Sequence, residues 1–497
     1  MTTTENDKSE YIDVGTVYTS PGHDPPLGAT RIEIRSGRIV SLRSLSVEDL
    51  QPEAKHLLAL PAISNAHDHG CGLPTLSFDA PDETLETWLP ALSYKPRTDP
   101  YVLATVAFAR MAESGICATN HCHNTLDPKL LFNEAEAVSR AARDVGIRVA
   151  FAVPFVEQNL HVYGEIKNLL KFLPSEDHAT ILNWSTKLKS MVNETKALFD
   201  SITSLEHEFF RVQFGPAGPE WLSEETLAFI AKCSAESGRR IHMHLLETIW
   251  QRERADAQYS PGGLIAHLDN LGLLSPRLTI AHAVHLTEEE CKLLAERQVT
   301  ASVNTSSNLR LRSGLAPVRL FRRTNLRFGL GLDGMSFDDD DDMLKELRLF
   351  WHLQRGFGGE RILSEADLFE AACVTGRKTI VDDGGGRVEV GAPADIIILD
   401  VRRMMQDRVR PSPPKDMLSL LLSRMSKKDI VKVIIAGRTI VQEHNCVTVD
   451  LSALTQQLLA EARKNTSCED DNGQIERIRT AVEKFYCCGF HRIKTEI

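Results

Sequence analysis

Two histidines one residue apart, His67 and His69 in the stretch AHDHG, can grip a single ion if a strand presents both on the same face. Alone, such a pair is as readily two ordinary surface histidines. Later positions change its weight: His244 stands in HMHLLET with Glu247 three residues on, His282 in TIAHAVHL, and Asp333 in LRFGLGLDG, each closing a short apolar run. Three imidazoles and one carboxylate leave a coordination position open, as hydrolytic metal sites require and closed structural sites do not. The set predicts His67, His69, His244 and Asp333 as ligands of one divalent ion. His242 competes with His244 for that role, but the spacing to Glu247 favours His244. An Asp before Gly is also a turn former, and His282 and His285 also read as hydrogen-bonded core histidines, the stronger reading for His285. Zinc is expected, with iron and manganese equally compatible with His and carboxylate donors.

These residues need a scaffold that gathers strand ends on one rim. Eight short apolar runs recur, at Leu60 to Ala66, Cys117 to His121, Arg148 to Val153, Arg211 to Phe214, Arg240 to His244, Leu278 to His282, Thr300 to Asn304 and Arg327 to Leu332. Helix signals fill the gaps, among them a Thr287-x-x-Glu290 capping box and an amphipathic stretch, Asn133 to Val145, that stops at Gly146. Eight alternating units predict a (β/α)8 barrel over residues 60–384, with an open doubly wound sheet as the competing architecture. Its active site belongs at the C-terminal ends of the strands. Outside this region, Thr30 to Leu42 alternates around Ser-Gly, Asp395 to Leu399 is a β-branched run, and Ile430 to Val441 turns at Ala-Gly. Residues 1–59 and 385–450 are therefore expected to share a small sheet structure. Residues 155–210 exceed one connection and read as a helical insertion beside the mouth, and 451–497 as a helical tail with a polar break.

The 497 residues carry a formal charge of -11, which argues against nucleic acid or an anionic membrane as partner and suits a small neutral or cationic substrate. Ten scattered cysteines form no Cys-x-x-Cys pair, and no apolar run reaches membrane-spanning length. The N-terminal stretch lacks the basic and apolar segments of a secretory leader. A cytoplasmic protein is expected.

The segments ALPAISNAHDHG, HMHLLET, TIAHAVHL, VNTSSNLRLRSGLAPV, LGLDGMSFDDDDDM and GRVEVGAPADIIILD, in this order, resemble the amidohydrolase superfamily. The resemblance is to its cytosine-deaminase-like branch, which includes adenosylhomocysteine deaminases and triazine hydrolases, and it spans residues 30–445. It implies that the terminal strands form a small β-sandwich. It also implies that Glu247 is the proton shuttle, that His282 polarises the attacked centre, that Asp333 takes the proton of the attacking water, and that homodimerisation is common among such proteins. Two-metal branches carry a lysine on the fourth strand; RVQFGPAGPEW has none, which favours one ion.

The pocket departs from better-known relatives. His69 is followed by GCGLPTLSF rather than a run toward Arg-Gly, the second strand ends in His121-Cys122-His123, and the fourth holds Gln213. His121 and His123 are candidate substrate contacts or plain pocket wall; Gln213 is a candidate for a heterocycle edge or a backbone support. The run Asp338 to Asp342 reads first as a solvated loop and second as a recognition element for an amino-bearing substrate. Trp221, Trp250 and Phe155 are stacking surfaces or packing, and Asn304 to Leu309 positions a loop. The leading expectation is hydrolytic deamination of an aminated N-heterocycle (purine, pyrimidine, pterin or related). The alternatives are hydrolysis of another C–N bond, as in cyclic amides or N-substituted triazines, and a non-catalytic scaffold.

Overall fold

The computed structural model describes residues 9–125, 127–410, 416–466 and 473–495. Its first strands are β1 (Glu10–Val14), β2 (Thr16–Val17), β3 (Thr30–Arg35), β4 (Arg38–Ser44) and β5 (Leu57–Pro61). β3 and β4 form the expected hairpin at Ser36-Gly37, whose φ angles of 50° and 75° are the left-handed pair a two-residue turn requires. β1 completes a three-stranded antiparallel sheet. Eight strands follow: β6 (Ile63–Asp68), β7 (Ile116–Cys122), β8 (Arg148–Phe155), β9 (Phe210–Pro216), β10 (Ile241–Leu245), β11 (Leu278–His282), β12 (Thr300–Val303) and β13 (Arg327–Leu330). The last are β14 (Ile396–Asp400), β15 (Ile430–Ile435), β16 (Arg438–Gln442) and β17 (Asn445–Cys446).

β6 to β13 lie side by side in chain order, all parallel, with helices between them. The last returns to the first: the Leu332 N–H donates to Asn65 Oδ1 at 2.9 Å and the Asp333 N–H to the His67 carbonyl at 2.9 Å. This is a (β/α)8 barrel. The remaining strands form a six-stranded sheet, β17-β16-β15-β14-β5-β2, into which both terminal regions contribute. Its apolar face packs on β1 and β3 through Val14, Ile32, Ile34, Ile396 and Ile434, giving the small β-sandwich.

Most expected runs coincide with strands to within a residue or two. The exception is Leu60 to Ala66, which is two elements rather than one. Leu60 and Pro61 pair with β14, the Ala62 N–H donates to the Asp395 carbonyl, and the chain enters the barrel at Ile63. An unbroken apolar run carries no mark of a change of sheet, because both halves are buried.

Helix Leu131–Val145 ends on Gly146 (φ 91°), and helix Glu288–Glu296 begins with the reciprocal Thr287/Glu290 capping box. Between β8 and β9 the helix Ser175–Thr203 packs on Leu131–Val145 and on both strands. The loop before it, with the short helix Ile166–Leu170, lies over the barrel mouth. Helix Leu451–Asn465 packs outside the barrel against Pro100–Glu113. Helix Gln474–Cys487 instead crosses the mouth, where Ile478, Val482, Phe485 and Tyr486 join one apolar cluster with Tyr163, Trp221 and Met335. The polar break at 467–472 and the N-terminal residues 1–8 lie outside the described residues. No helix among the described residues is long and apolar enough to cross a membrane.

A buried ion network ties the barrel floor to the sandwich. Asp395 receives Arg148 Nη1 at 2.6 Å and Arg377 Nη2 at 2.6 Å, and Arg377 also pairs with Asp383 at 2.7 Å. Burial works to raise the Asp395 pKa, but the two guanidinium groups prevail and hold it below the ordinary value. Removing the shared carboxylate leaves two buried cations short of a partner, a loss on the order of 3–5 kcal/mol when a buried pair is broken. Asp395→Asn should therefore lower the thermal unfolding midpoint by several degrees, as read by calorimetry, whereas Asp338→Asn on the exposed loop should not move it.

Candidate active site

At the C-terminal rim, His67 from β6, His69 just beyond it, His244 from β10 and Asp333 beyond β13 offer ligand atoms that all lie within 4.8 Å of one another. Asp333 Oδ1 is 2.9 Å from His67 Nε2 and 3.2 Å from His69 Nε2, and His244 Nε2 is 3.4 Å from His69 Nε2. Backbone strain helps place these groups. Leu246, His282, Ala283 and Asp333, none of them glycine, have φ of 47°, 69°, 51° and 61°. Such conformations cost of order 1–3 kcal/mol each and persist where the surroundings fix them. Here they turn the chain sharply at the ends of β10, β11 and β13 so that the side chains face the axis.

The fit to a cation follows from where the other ring nitrogens go. His69 Nδ1 faces the Cys122 carbonyl at 2.8 Å and His244 Nδ1 the Ala217 carbonyl at 2.7 Å. A carbonyl only accepts, so both Nδ1 atoms carry a proton and both Nε2 atoms are left facing the shared space beside Asp333. His67 Nδ1 is engaged by His242 Nε2 at 2.7 Å, which leaves its buried Nε2 aimed at Asp333 Oδ1. Burial holds His67 and His244 neutral at ordinary pH, well below their usual pKa. Imidazole nitrogens converging beside a carboxylate in a half-buried space match a divalent ion, with second contacts fixing each ring as metal-ligating histidines require.

Two more groups complete the centre. His282 Nε2 lies 3.5 Å from Glu247 Oε2 and 3.8 Å from Asp333 Oδ2, and its Nδ1 is held by Asn308 Oδ1 at 2.8 Å. Burial, and then the Asp333 charge, raise the Glu247 carboxyl well above the carboxylate range. Burial opposes ionisation of Asp333 too, yet the His67 and His69 contacts outweigh it and hold Asp333 well below that range. Two carboxyls with pKa values driven apart are the arrangement that separates an acid from a base. The Ser307 hydroxyl donates to Asp333 Oδ2 at 2.6 Å.

The candidate substrate contacts are not brought to this centre. Gln213 Nε2 donates to Asn120 Oδ1 at 2.7 Å inside the barrel, the support arrangement, with its Oε1 left unpartnered. His121 stacks on Phe151 and meets His123 at 3.2 Å, and His123 Nε2 faces Glu134 at 2.9 Å, a chain that leads away from the ligand group. The Asp run is mostly committed: Asp338 and Asp340 bind Lys345, Asp339 binds Arg310, and Asp342 caps helix Met343–Gln354. Trp221 sits edge-on to His244 at 6.5 Å and Trp250 stacks on Tyr486 at 4.3 Å, while Phe155 packs in the core with Phe199 and Phe214.

Several groups had no distinguishing signal in the sequence. His242, weighed there as a rival ligand, backs His67. Glu86 and Glu220 are buried in the roof of the mouth, where burial pushes both carboxyls up to about 7. Gln251 holds the Glu247 backbone N–H at 2.6 Å. Ser307 and Asn308 were visible only as part of the NTSSNL stretch.

Residues 58–440 match the amidohydrolase family. Over 410 residues the chain is 25% identical to the 5-methylthioadenosine/S-adenosylhomocysteine deaminase of Caldanaerobacter subterraneus subsp. tengcongensis, covering 81% of this chain and 86% of that one. In fold it is similar to an adenosine deaminase from Xanthomonas campestris with bound zinc (TM-score 0.72, 22% identity, 95% of this chain and 98% of that one). It is also similar to the atrazine chlorohydrolase of Arthrobacter aurescens complexed with zinc (TM-score 0.71, 20% identity, 91% and 99%).

Purified protein loaded with Zn2+ should hold about one ion per chain by elemental analysis, as a four-residue catalytic site would. His244→Ala should lose it, and His242→Ala should weaken affinity in a chelator competition by about 10–100-fold, the scale for removing a partner of a ligating histidine.

Proposed function

The chain belongs to the amidohydrolase family, and on that footing we propose that it catalyses hydrolytic deamination of an aminated N-heterocycle, with His67, His69, His244 and Asp333 holding one ion, most naturally zinc. The observation that carries the reading is geometric: Glu247 and Asp333 flank His282 at 3.5 and 3.8 Å, beside a group of three imidazoles and a carboxylate suited to a cation. The deaminase named above as a relative acts, by its name, on adenosine derivatives, which supports this class of substrate.

The reaction replaces a ring-bound amino group by oxygen: water adds to the C=N carbon, a ring nitrogen gains a proton, and ammonia leaves. When bound, the divalent ion supplies Lewis-acid charge that brings the pKa of an attacking water toward neutrality. Asp333 takes the proton of that water and passes it to the departing amino group, which leaves as ammonia while the new C–OH returns its proton to Glu247. The Asp333 Oδ2 is held by Ser307, which fixes the carboxylate plane toward the three imidazoles. Glu247, whose carboxyl burial raises well above the carboxylate range, gives its proton to the ring nitrogen from the Oε2 side that faces His282. Asn308 Oδ1 accepts the His282 Nδ1 proton, so Nε2 faces the reaction centre with a lone pair; it stabilises developing negative charge once it takes a proton, which Glu247 at 3.5 Å is placed to supply. The apolar roof formed by Tyr163, Trp221 and helix Gln474–Cys487 lowers the local polarity of the mouth, which strengthens each of these interactions. Nine free cysteines among the described residues suit a reducing compartment, and we place the protein in the cytoplasm.

The test is ammonia release from a panel of 6-aminopurine nucleosides, aminopyrimidines and aminopterins, with metal content measured on the same sample. Ammonia from one class is expected, and Glu247→Gln should reduce turnover by at least about 10²-fold, the lower scale of general acid–base catalysis, with metal retained. Metal-loaded protein that releases an amine or a ring-opened acid but no ammonia would replace deamination by hydrolysis of another C–N bond.

A further inference from the structure

Helix Gln474–Cys487 reaches the barrel from far along the chain, yet a continuous run of buried hydrogen bonds links it to the proposed proton shuttle. The Tyr163 backbone N–H donates to the Tyr486 hydroxyl oxygen at 3.1 Å. The Tyr163 hydroxyl oxygen in turn accepts from Gln251 Nε2 at 3.2 Å. Gln251 Oε1 accepts the Glu247 backbone N–H at 2.6 Å. Tyr486, Tyr163, Gln251 and Glu247 are all at least 98% buried, so water is a poor substitute at any of these positions.

The middle of the chain has a directional logic. Gln251 stands four residues after Glu247, where its oxygen must face N–H donors: that of Glu247 and, at 3.4 Å, that of Thr248, the cap of helix Ile249–Gln258. If its amide were reversed, an NH2 group would face two N–H groups and both would lose their acceptor. What favours the observed orientation is an acceptor for Nε2 on the other side, and the Tyr163 oxygen is that acceptor. The stakes are raised by Leu246 at φ 47°, immediately before Glu247. A strained turn relaxes when its flanking hydrogen bonds weaken, and relaxation here would swing the carboxyl away from His282.

Tyr163 cannot hold its own place, since the loop from Val156 to Glu165 is without regular structure. Its ring is set edge-on between Trp221 (5.6 Å) and Tyr486 (5.7 Å), and Tyr486 is itself stacked on Trp250 at 4.3 Å. Further anchors hold the end of the C-terminal segment to helix Ile249–Gln258. His491 and Arg492 bind Glu253 at 2.7 Å each, and Arg254 donates to the Ile493 carbonyl at 2.7 Å. The helix that begins just after Glu247 is thus clamped from both sides by the C-terminal segment.

We propose that Tyr486 is a positioning residue for Glu247, acting through Tyr163 and Gln251, so that the docked C-terminal helix is a working part of the active site and not only its cover. The proposal rests on the reading of Glu247 as proton shuttle for its kinetic arm, and on geometry alone for its structural arm.

The test uses the full-length, metal-loaded protein. Tyr486→Phe keeps the ring and its stacking but removes the oxygen, and Tyr163→Phe removes the acceptor for Gln251 while keeping the backbone N–H. Each should lower kcat on the order of tenfold, the scale for a small misplacement of a reacting group, with KM within about twofold and metal content unchanged. The double variant should be no slower than the slower single, since both break one chain. Hydrogen exchange over Leu245–Gln251, which needs no substrate, should accelerate in both variants at the Glu247 and Thr248 amides while the barrel strands keep their protection. Unchanged kcat and unchanged exchange would overturn the proposal, and so would exchange that rises everywhere with a matching fall in melting temperature, which would mark a merely structural tyrosine. Faster local exchange in protein that releases no ammonia from any compound would sustain the positioning role and remove the deaminase reading instead.

Discussion

The mouth of this barrel is governed by one electrostatic constraint: three imidazole Nε2 atoms and a carboxylate converge in a small space. Each ring has already committed its other nitrogen, to Cys122, to Ala217 or to His242, so none can rotate or change tautomer to relieve the crowding. His244 Nε2 and His69 Nε2 face each other at 3.4 Å, an approach that a bound cation would relieve. The strained residues at the ends of β10, β11 and β13 follow from the same demand, because relaxed backbone would aim these side chains elsewhere. The barrel closes at this very point, through the Asp333 N–H and the His67 carbonyl. Fold and site are therefore stabilised by the same contact.

Much of this was legible in the sequence because it is local. A ligand at the end of a strand sits next to the apolar run that defines the strand, and the order of those runs is the order of a parallel barrel. Hairpin turns at Ser36-Gly37 and Ala436-Gly437 were equally plain, since few residue pairs adopt two consecutive positive φ angles. What failed to show was anything decided by partners distant in sequence. The passage from β5 to β6 hides in one apolar run, because both strands are buried on both faces. The supporting role of His242 is invisible beside His244, for a His-x-His pair on a strand reads the same whichever ring faces the ion. The tail gave no hint that it reaches the mouth, since an amphipathic helix announces that it will be covered and not by what.

The Asp run is instructive in a different way. Composition suggests a solvated loop or a cation-binding surface, and three of its members instead neutralise Lys345 and Arg310 while a fourth caps a helix. Asp341 is buried beside Asp68 with neither an ion pair nor a capping contact among the described residues, and burial pushes it up to about 8. A run of identical residues thus divides into separate tasks once neighbours are fixed, which composition cannot anticipate.

The sandwich also bears on how the chain is made. β5 hydrogen-bonds β14, whose residues emerge from the ribosome roughly 330 positions later, a separation that belongs to the slow end of topologies. At about 5–20 residues per second, the N-terminal strands wait on the order of tens of seconds for their partner. During that interval Leu58, Ala59 and Leu60 form an open apolar edge, directly joined through Ala62 to the first barrel strand.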